Sequence, residues 1–292
     1  MPELPPAKRR PLSGVPCTDS APVYAELHCK TNYSFLRGGS HPDELVAQAA
    51  ELGYAALAIT DRHSLAGVVR AHAAARPLGS KLLIGAEIWP RDAAGVVLLA
   101  TDRASYGRLA RLLTIGKRRA AKGACELDFD DLANAGPGLL ALVLPKSQDD
   151  LPAAEAQPLR VHRAPLAPYR EAFGDRCYAL AELARGPDDE GLLERLADEA
   201  RAARVPLVAA QDVLYHVPRR RALQDVLTAI RLGTTVAEAG ARLCANAERH
   251  LHAPSEMQTR FDRHPEAVRR TLEVAARSTF SLDELRYEYP EE

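Results

Sequence analysis

The chain has 292 residues, 47% apolar and 26% charged, ordinary globular values that exclude disordered and fibrous classes. Basic and acidic residues nearly cancel, 38 against 39, so no global field draws the chain onto nucleic acid or a membrane. Arginine outnumbers lysine 32 to 6, which makes an isolated arginine weak evidence of anything.

At roughly 150 residues per domain the length fits two domains, or one large α/β domain with an appendage. Five scattered cysteines with no C-x-x-C pair argue against a disulfide framework and a zinc knuckle. The first residues hold prolines and Lys8, Arg9 and Arg10 but no apolar core of a signal peptide. No run approaches the roughly 18 apolar residues of a membrane span. The expectation is a reduced, soluble, cytoplasmic protein that does not touch a membrane.

Residues 1–22 are Pro-rich and polar and read as a disordered tail. Residues 24–29 are strand-like. Ser40 reads as the cap of a helix opening at Pro42-Asp43-Glu44 and ending at Leu52-Gly53. A strand over 56–60, a helix over 65–75 and a strand over 81–85 follow. Next come a strand over 95–100, a helix over 105–117 and a strand over 139–144. Residues 149–168 read as a Pro-rich loop. Strands over 177–183 and 205–210 flank a helix over 190–203, and 219–231 reads as a helix. Repeated strand–helix–strand units predict a parallel sheet, and about seven strands fit a closed barrel better than an open sheet. The texture turns helical and polar near 233–245. The expected domains are therefore a disordered tail (1–22), a barrel (23–235) and a helical connector (236–292).

Barrels of this kind carry their chemistry at the C-terminal strand ends. Those ends hold His28, Lys30, Asp61, Arg62, His63, Glu87 and Asp212. Histidine and carboxylates converging from four strands have the chemistry of a divalent-metal site, though a barrel mouth is polar in any case. His63 reads as a hydrogen-bonded turn residue. His250 and His252 read as structural, sharing a strand face without carboxylate company. The runs Lys117-Arg118-Arg119 and Arg219-Arg220-Arg221 read, respectively, as a solvated helix end and as a hint of an acidic or phosphate partner.

The runs His28-Cys-Lys-Thr-Asn-Tyr-Ser-Phe-Leu-Arg-Gly38, Ala58-Ile-Thr-Asp-Arg-His-Ser-Leu-Ala-Gly67, Gly85-Ala-Glu87 and Ala210-Gln-Asp-Val-Leu-Tyr215 resemble, in order, motifs of the PHP (polymerase and histidinol phosphatase) domain. The closer resemblance is to the N-terminal PHP domain of bacterial C-family DNA polymerase III α subunits, error-prone damage-tolerance branch. The run from Asn246 to Tyr287 resembles the join to the polymerase core. The resemblance implies an α/β fold, a distorted (β/α)7 PHP barrel with a short helical C-terminal extension. In metal-competent members it implies a metal cluster serving phosphoester hydrolysis or proofreading.

Of the ligand positions this resemblance implies, His28, Asp61, Glu87 and Asp212 are retained. Six are changed: Lys30, Arg37 and Arg62 replace ligands with cations, and Gly95, Pro145 and Leu214 offer no donor. The resemblance therefore implies a vestigial site without a resident cofactor, zinc or manganese being the ions it would take. Lys30, Arg37 and Arg62 stand either as charge substitutes for lost metals or as marks of an eroding pocket.

The expected function is that of a degenerate PHP domain in the replication and repair context of an error-prone DNA polymerase. It would support a polymerase core absent from this chain, in cis or on another chain, and touch DNA only indirectly. By itself the chain would neither polymerise nor hydrolyse phosphoesters. The alternatives are a free-standing metal-dependent phosphoesterase of the PHP family and a small interaction module in a damage-tolerance assembly.

Overall fold

The structure, a computed structural model, describes residues 23–144 and 166–285. The tail over 1–22, Pro145 and the end of the connector lie outside them. Seven strands follow one another in sheet order: β1 (Ala25–Glu26), β2 (Ala56–Ile59), β3 (Leu82–Ile88), β4 (Val96–Ala100), β5 (Leu139–Val143), β6 (Cys177–Glu182) and β7 (Leu207–Ala210). Around them lie α1 (Pro42–Glu51), α2 (Val68–Ala75), α3 (Arg103–Arg119), α4 (Phe129–Ala133), α5 (Leu166–Phe173), α6 (Asp189–Ala202) and α7 (Arg221–Leu232). Three further helices, α8 (Val236–Ala239), α9 (Pro254–Arg260) and α10 (Pro265–Arg277), complete the fold.

The sheet curls into a nearly closed barrel. Among the described residues its seam is a parallel bridge between Cys29 and Val213, made by the Lys30 N–H to Val213 O and the Val213 N–H to His28 O, both 2.9 Å. Alternate strand residues turn inward, so Ala25, Leu83, Val97, Leu99, Leu140, Leu142, Tyr178, Leu180 and Val208 fill the interior. Helix α10 plugs one end, adding Val274 and Ala275 to that cluster. Its Thr271 hydroxyl accepts the Ala25 N–H, its Arg270 donates to the Leu207 carbonyl, and its Glu273 accepts the Tyr178 hydroxyl. Ala25 and Leu207 begin their strands and Tyr178 is the second residue of β6, so α10 closes the rim opposite the strand C-termini. Met257 and Phe261 are likewise buried against the barrel's outer layer.

The fold is α/β, and the structure corrects several expectations within it. The sheet is not wholly parallel: β4 runs antiparallel to both β3 and β5. Only residues 89–95 join β3 to β4, far too few for the crossover a parallel pair needs. β1 is two residues long rather than six, because Leu27 and His28 give their N–H groups to the Glu26 carboxylate instead of a neighbouring strand.

Helix boundaries shift for equally local reasons. His41, not Ser40, is the N-cap of α1, since Ser40 Oγ bonds the His216 ring at 2.7 Å. α2 starts at Val68 rather than Leu65, after a turn in which Ser64 Oγ accepts the Ala66 N–H. Residues 166–168 open α5 rather than ending a loop.

Candidate functional site

The C-terminal strand ends gather around one open pocket at the barrel mouth. His28, just past β1, is buried between two carboxylates. Its Nδ1 is 2.5 Å from Glu182 Oε1 and its Nε2 is 2.8 Å from Glu87 Oε2. Burial and the Lys30 ammonium push the His28 pKa down, but Glu182 and Glu87 outweigh them and raise it.

Lys30 shares the face of His28 because the two are two residues apart on extended chain. Its Nζ lies 2.5 Å from Glu87 Oε2, 2.5 Å from Asp212 Oδ1 and 3.4 Å from His28 Nε2. Glu87 also accepts the Trp89 indole N–H at 2.7 Å, and Arg62 stands 3.6 Å away. Burial pushes the Glu87 carboxyl up, yet Lys30, His28 and Arg62 together hold it well below the ordinary carboxylate range. Asp212 sits at φ 48°, a left-handed conformation that Asp tolerates better than most residues, and its other oxygen accepts from Arg249.

The donor atoms of His28, Glu87 and Asp212 lie within 4.8 Å of one another, so three of the four retained positions form a group able to hold a metal ion. Asp61 is drawn away from them. Its carboxylate accepts the Thr31 N–H at 2.8 Å, the Ser34 hydroxyl at 2.6 Å and the Thr31 hydroxyl at 2.8 Å. Gly67 packs so close that a Cβ there would meet Asp61 Oδ2 at 2.3 Å, which leaves no room for a larger residue. Burial raises the Asp61 pKa despite those donors. Hydroxyls and an amide thus hold Asp61, while Lys30 reaches Glu87 and Asp212 and Arg62 approaches Glu87.

Arg62 also lies over the Trp89 ring, 5.2 Å from its centre. Arg37 and Leu214 line the pocket. Gly95 immediately precedes β4 at the same rim, but a Cβ there would meet the Trp89 ring at 2.8 Å. Sequence reasoning missed Glu182, Arg249 and Trp89. Glu182 ends β6 and was open to the strand-end rule that found Glu87. Arg249 arrives from outside the barrel strands, and no local pattern marks it.

The remaining candidates resolve locally. His63 Nε2 accepts the Trp89 N–H at 2.8 Å, and burial with the neighbouring Arg62 brings its pKa down to about 4. In the basic runs Arg119 pairs with Asp131, Arg220 with Glu44 and Arg221 with Asp225, so these three find their acids within the fold. His250 and His252 do not share a strand: His250 makes only an isolated bridge to Tyr215. His252 does have carboxylate company, Glu248 and Glu256. The Arg260 guanidinium lies among all three, 2.8 Å from Glu256 and 3.0 Å from His252 Nε2.

The chain is 55% identical over 276 residues to an error-prone DNA polymerase of Aromatoleum aromaticum, covering 92% of this chain and 25% of that protein. It is 48% identical to error-prone DNA polymerase 1 of Agrobacterium fabrum, covering 94% and 24%. A third, from Rhodopirellula baltica, is 46% identical, covering 92% and 24%. The chain thus spans about a quarter of the length of the curated relatives it matches. Among solved structures, an amidohydrolase from Chromobacterium violaceum superposes with a TM-score of 0.44 at 17% identity, covering 66% of this chain and 88% of that one. The PHP domain model matches residues 26–182, more than half the chain and most of the barrel, and on that match the chain belongs to the PHP domain family.

Proposed function

We propose that this chain is the PHP-barrel portion of an error-prone DNA polymerase, acting in replication and repair as a structural module for a polymerase core rather than as a hydrolase. The core is supplied in cis or by another chain, and DNA is engaged through it. The observation that carries this reading is the Lys30 ammonium, within 2.5 Å of both Glu87 and Asp212. It occupies the place a metal ion would need among His28, Glu87 and Asp212, and it supplies the positive charge such an ion would bring.

The donor set does not fit a metal cluster. Lys30, Arg37 and Arg62 offer no lone pair as cations, and Gly95 and Leu214 carry no ligand atom. Asp61 is spoken for by Thr31 and Ser34. Three clustered carboxylates, Glu87, Glu182 and Asp212, would repel one another if left bare in a buried site. Lys30, Arg62, Arg249 and His28 neutralise them, which keeps the barrel mouth intact without a metal. In this reading Lys30 and Arg62 are charge substitutes at a vestigial site, and no hydrolytic step runs through it.

One observation favours a second reading, a metal-dependent phosphoesterase: the three donor groups still converge within 4.8 Å. Elemental analysis of protein purified without chelators separates the two. The expected result is far less than one equivalent of zinc, manganese or iron, and no chelator-sensitive hydrolysis of a chromogenic phosphoester. Stoichiometric metal together with such hydrolysis overturns the structural reading.

A further inference from the structure

Helix α7 is packed with its polar side inward. At 100° per residue, Arg231, Gln224 and Thr228 fall within one narrow arc, and all three line the mouth pocket. Gln224 and Thr228 are buried. On the opposite arc Leu223, Val226 and Ile230 stand 40%, 44% and 58% exposed. The next helix adds Val236, also exposed. A surface helix ordinarily turns its apolar stripe to the core and its polar side to water. This one does the reverse, and single exposed apolar residues, which need no explanation, do not make such a stripe.

We infer that the outer face of α7 is a docking surface, and that its occupant is the remainder of the longer polymerase polypeptide, the inference resting on the functional reading above. The relatives match at least 92% of this chain, a span that must include α7, and extend to about four times its length. The other three quarters of such a polypeptide is covalently joined to this barrel. The size of the stripe decides between occupants. Four side chains fall well short of the roughly 800 Å² per partner that a free, stable protein complex buries. A covalently joined partner needs far less, because the linker holds it at an effective concentration in the millimolar range. A second copy of the chain has no such advantage.

The same placement accounts for the polar inner side. Gln224 and Thr228 line the mouth from within, while the stripe outside carries the partner, so α7 is a wall shared by two layers of a larger assembly.

The test is site-directed labelling of Ile230→Cys and, separately, Val226→Cys, with Val69→Cys on α2 as an exposed apolar control. Maleimide labelling is mapped by mass spectrometry in the 292-residue chain and in a chimaera in which this chain replaces the matching quarter of the Aromatoleum aromaticum polymerase. Should the chimaera fail to fold, the same cysteines go at the aligned positions of that polymerase itself. The expected result is fast labelling of all three positions in the isolated chain. In the long polypeptide, labelling at positions 230 and 226 slows by about tenfold or more, with position 69 unchanged. Ile230→Asp should lower the melting midpoint of the long polypeptide and leave that of the isolated chain unchanged. Equal labelling in both contexts overturns the proposal. So does protection that appears in the isolated chain as its concentration rises, which would make a second copy the occupant. Neither readout depends on metal content, so stoichiometric metal would overturn the structural reading without deciding the docking.

Discussion

Lys30 and Asp212 face each other across the barrel seam, Nζ to Oδ1 at 2.5 Å, one residue on either side of the Cys29–Val213 bridge that closes the sheet. The charge pair and the backbone bridge that closes the sheet therefore reinforce each other. Lys30 is nearly buried, as are Glu87 and Asp212.

Removing the ammonium should therefore be costly. Lys30→Met leaves Glu87 and Asp212 buried together without it and is expected to destabilise the chain by about 3–5 kcal/mol. Urea unfolding at neutral pH measures this. A loss near that of a surface mutation would mean the carboxylates find other partners.

Arg62→Ala should cost much less. Its side chain is one-fifth exposed, its approach to Glu87 is 3.6 Å, and its stacking on Trp89 is partly open to water. A partly screened ion pair and a cation–π contact together predict about 1 kcal/mol, clearly below Lys30→Met in the same unfolding assay.

Restoring ligands at two of the changed positions should not rebuild a metal centre. Lys30→His with Arg62→His is expected to leave zinc binding well below one equivalent in equilibrium dialysis, because Asp61 stays tied to Thr31 and Ser34. Tight stoichiometric binding would show that charge substitution alone keeps the metal out.

Away from the mouth, Glu256 sets a pH dependence. Burial pushes its carboxyl up, but the Arg260 hydrogen bond, His252 and Arg185 outweigh this and bring it from 4.5 down to about 2. A depressed carboxyl contributes stability that is complete above its unfolded pKa and is lost as pH falls through the folded value. Stability should therefore drop between about 4.5 and 2, and Glu256→Gln should shrink that drop in acid-unfolding curves while lowering stability at neutral pH.

The C-terminal helices should be indispensable to the barrel. Val274 and Ala275 of α10 belong to the interior cluster, and Thr271 bonds the first residue of β1. Truncation after Gly233 is expected to abolish cooperative thermal unfolding. A truncated chain that still melts cooperatively would support the expected boundary at 235–236.

Much of this was legible in the residues. Strand–helix alternation and the strand-end rule located His28, Lys30, Glu87 and Asp212 at one rim, where the structure brings them together. The short 89–95 connection held the reversal of β4 in plain view, but repeated crossovers on either side masked it. Asp61 misled for a different reason. Its position at a strand end is as expected, yet the two hydroxyls that turn it away, on Thr31 and Ser34, lie about 30 residues distant and carry no signature. Arg249 and α10 are long-range partners, so their roles follow from tertiary packing that no local periodicity encodes.

The reversal of β4 has a steric consequence. Because the strand runs downward, Gly95, the residue just before it, sits at the rim, and the Trp89 ring fills the space a side chain there would need. That same indole donates to Glu87 and lies under Arg62. A side chain at position 95 would collide with a residue the charge network depends on, and removing Trp89 first would unsettle that network. The barrel mouth is thus interlocked: the cations, the indole and the carboxylates hold one another, and a change at one of them disturbs the rest.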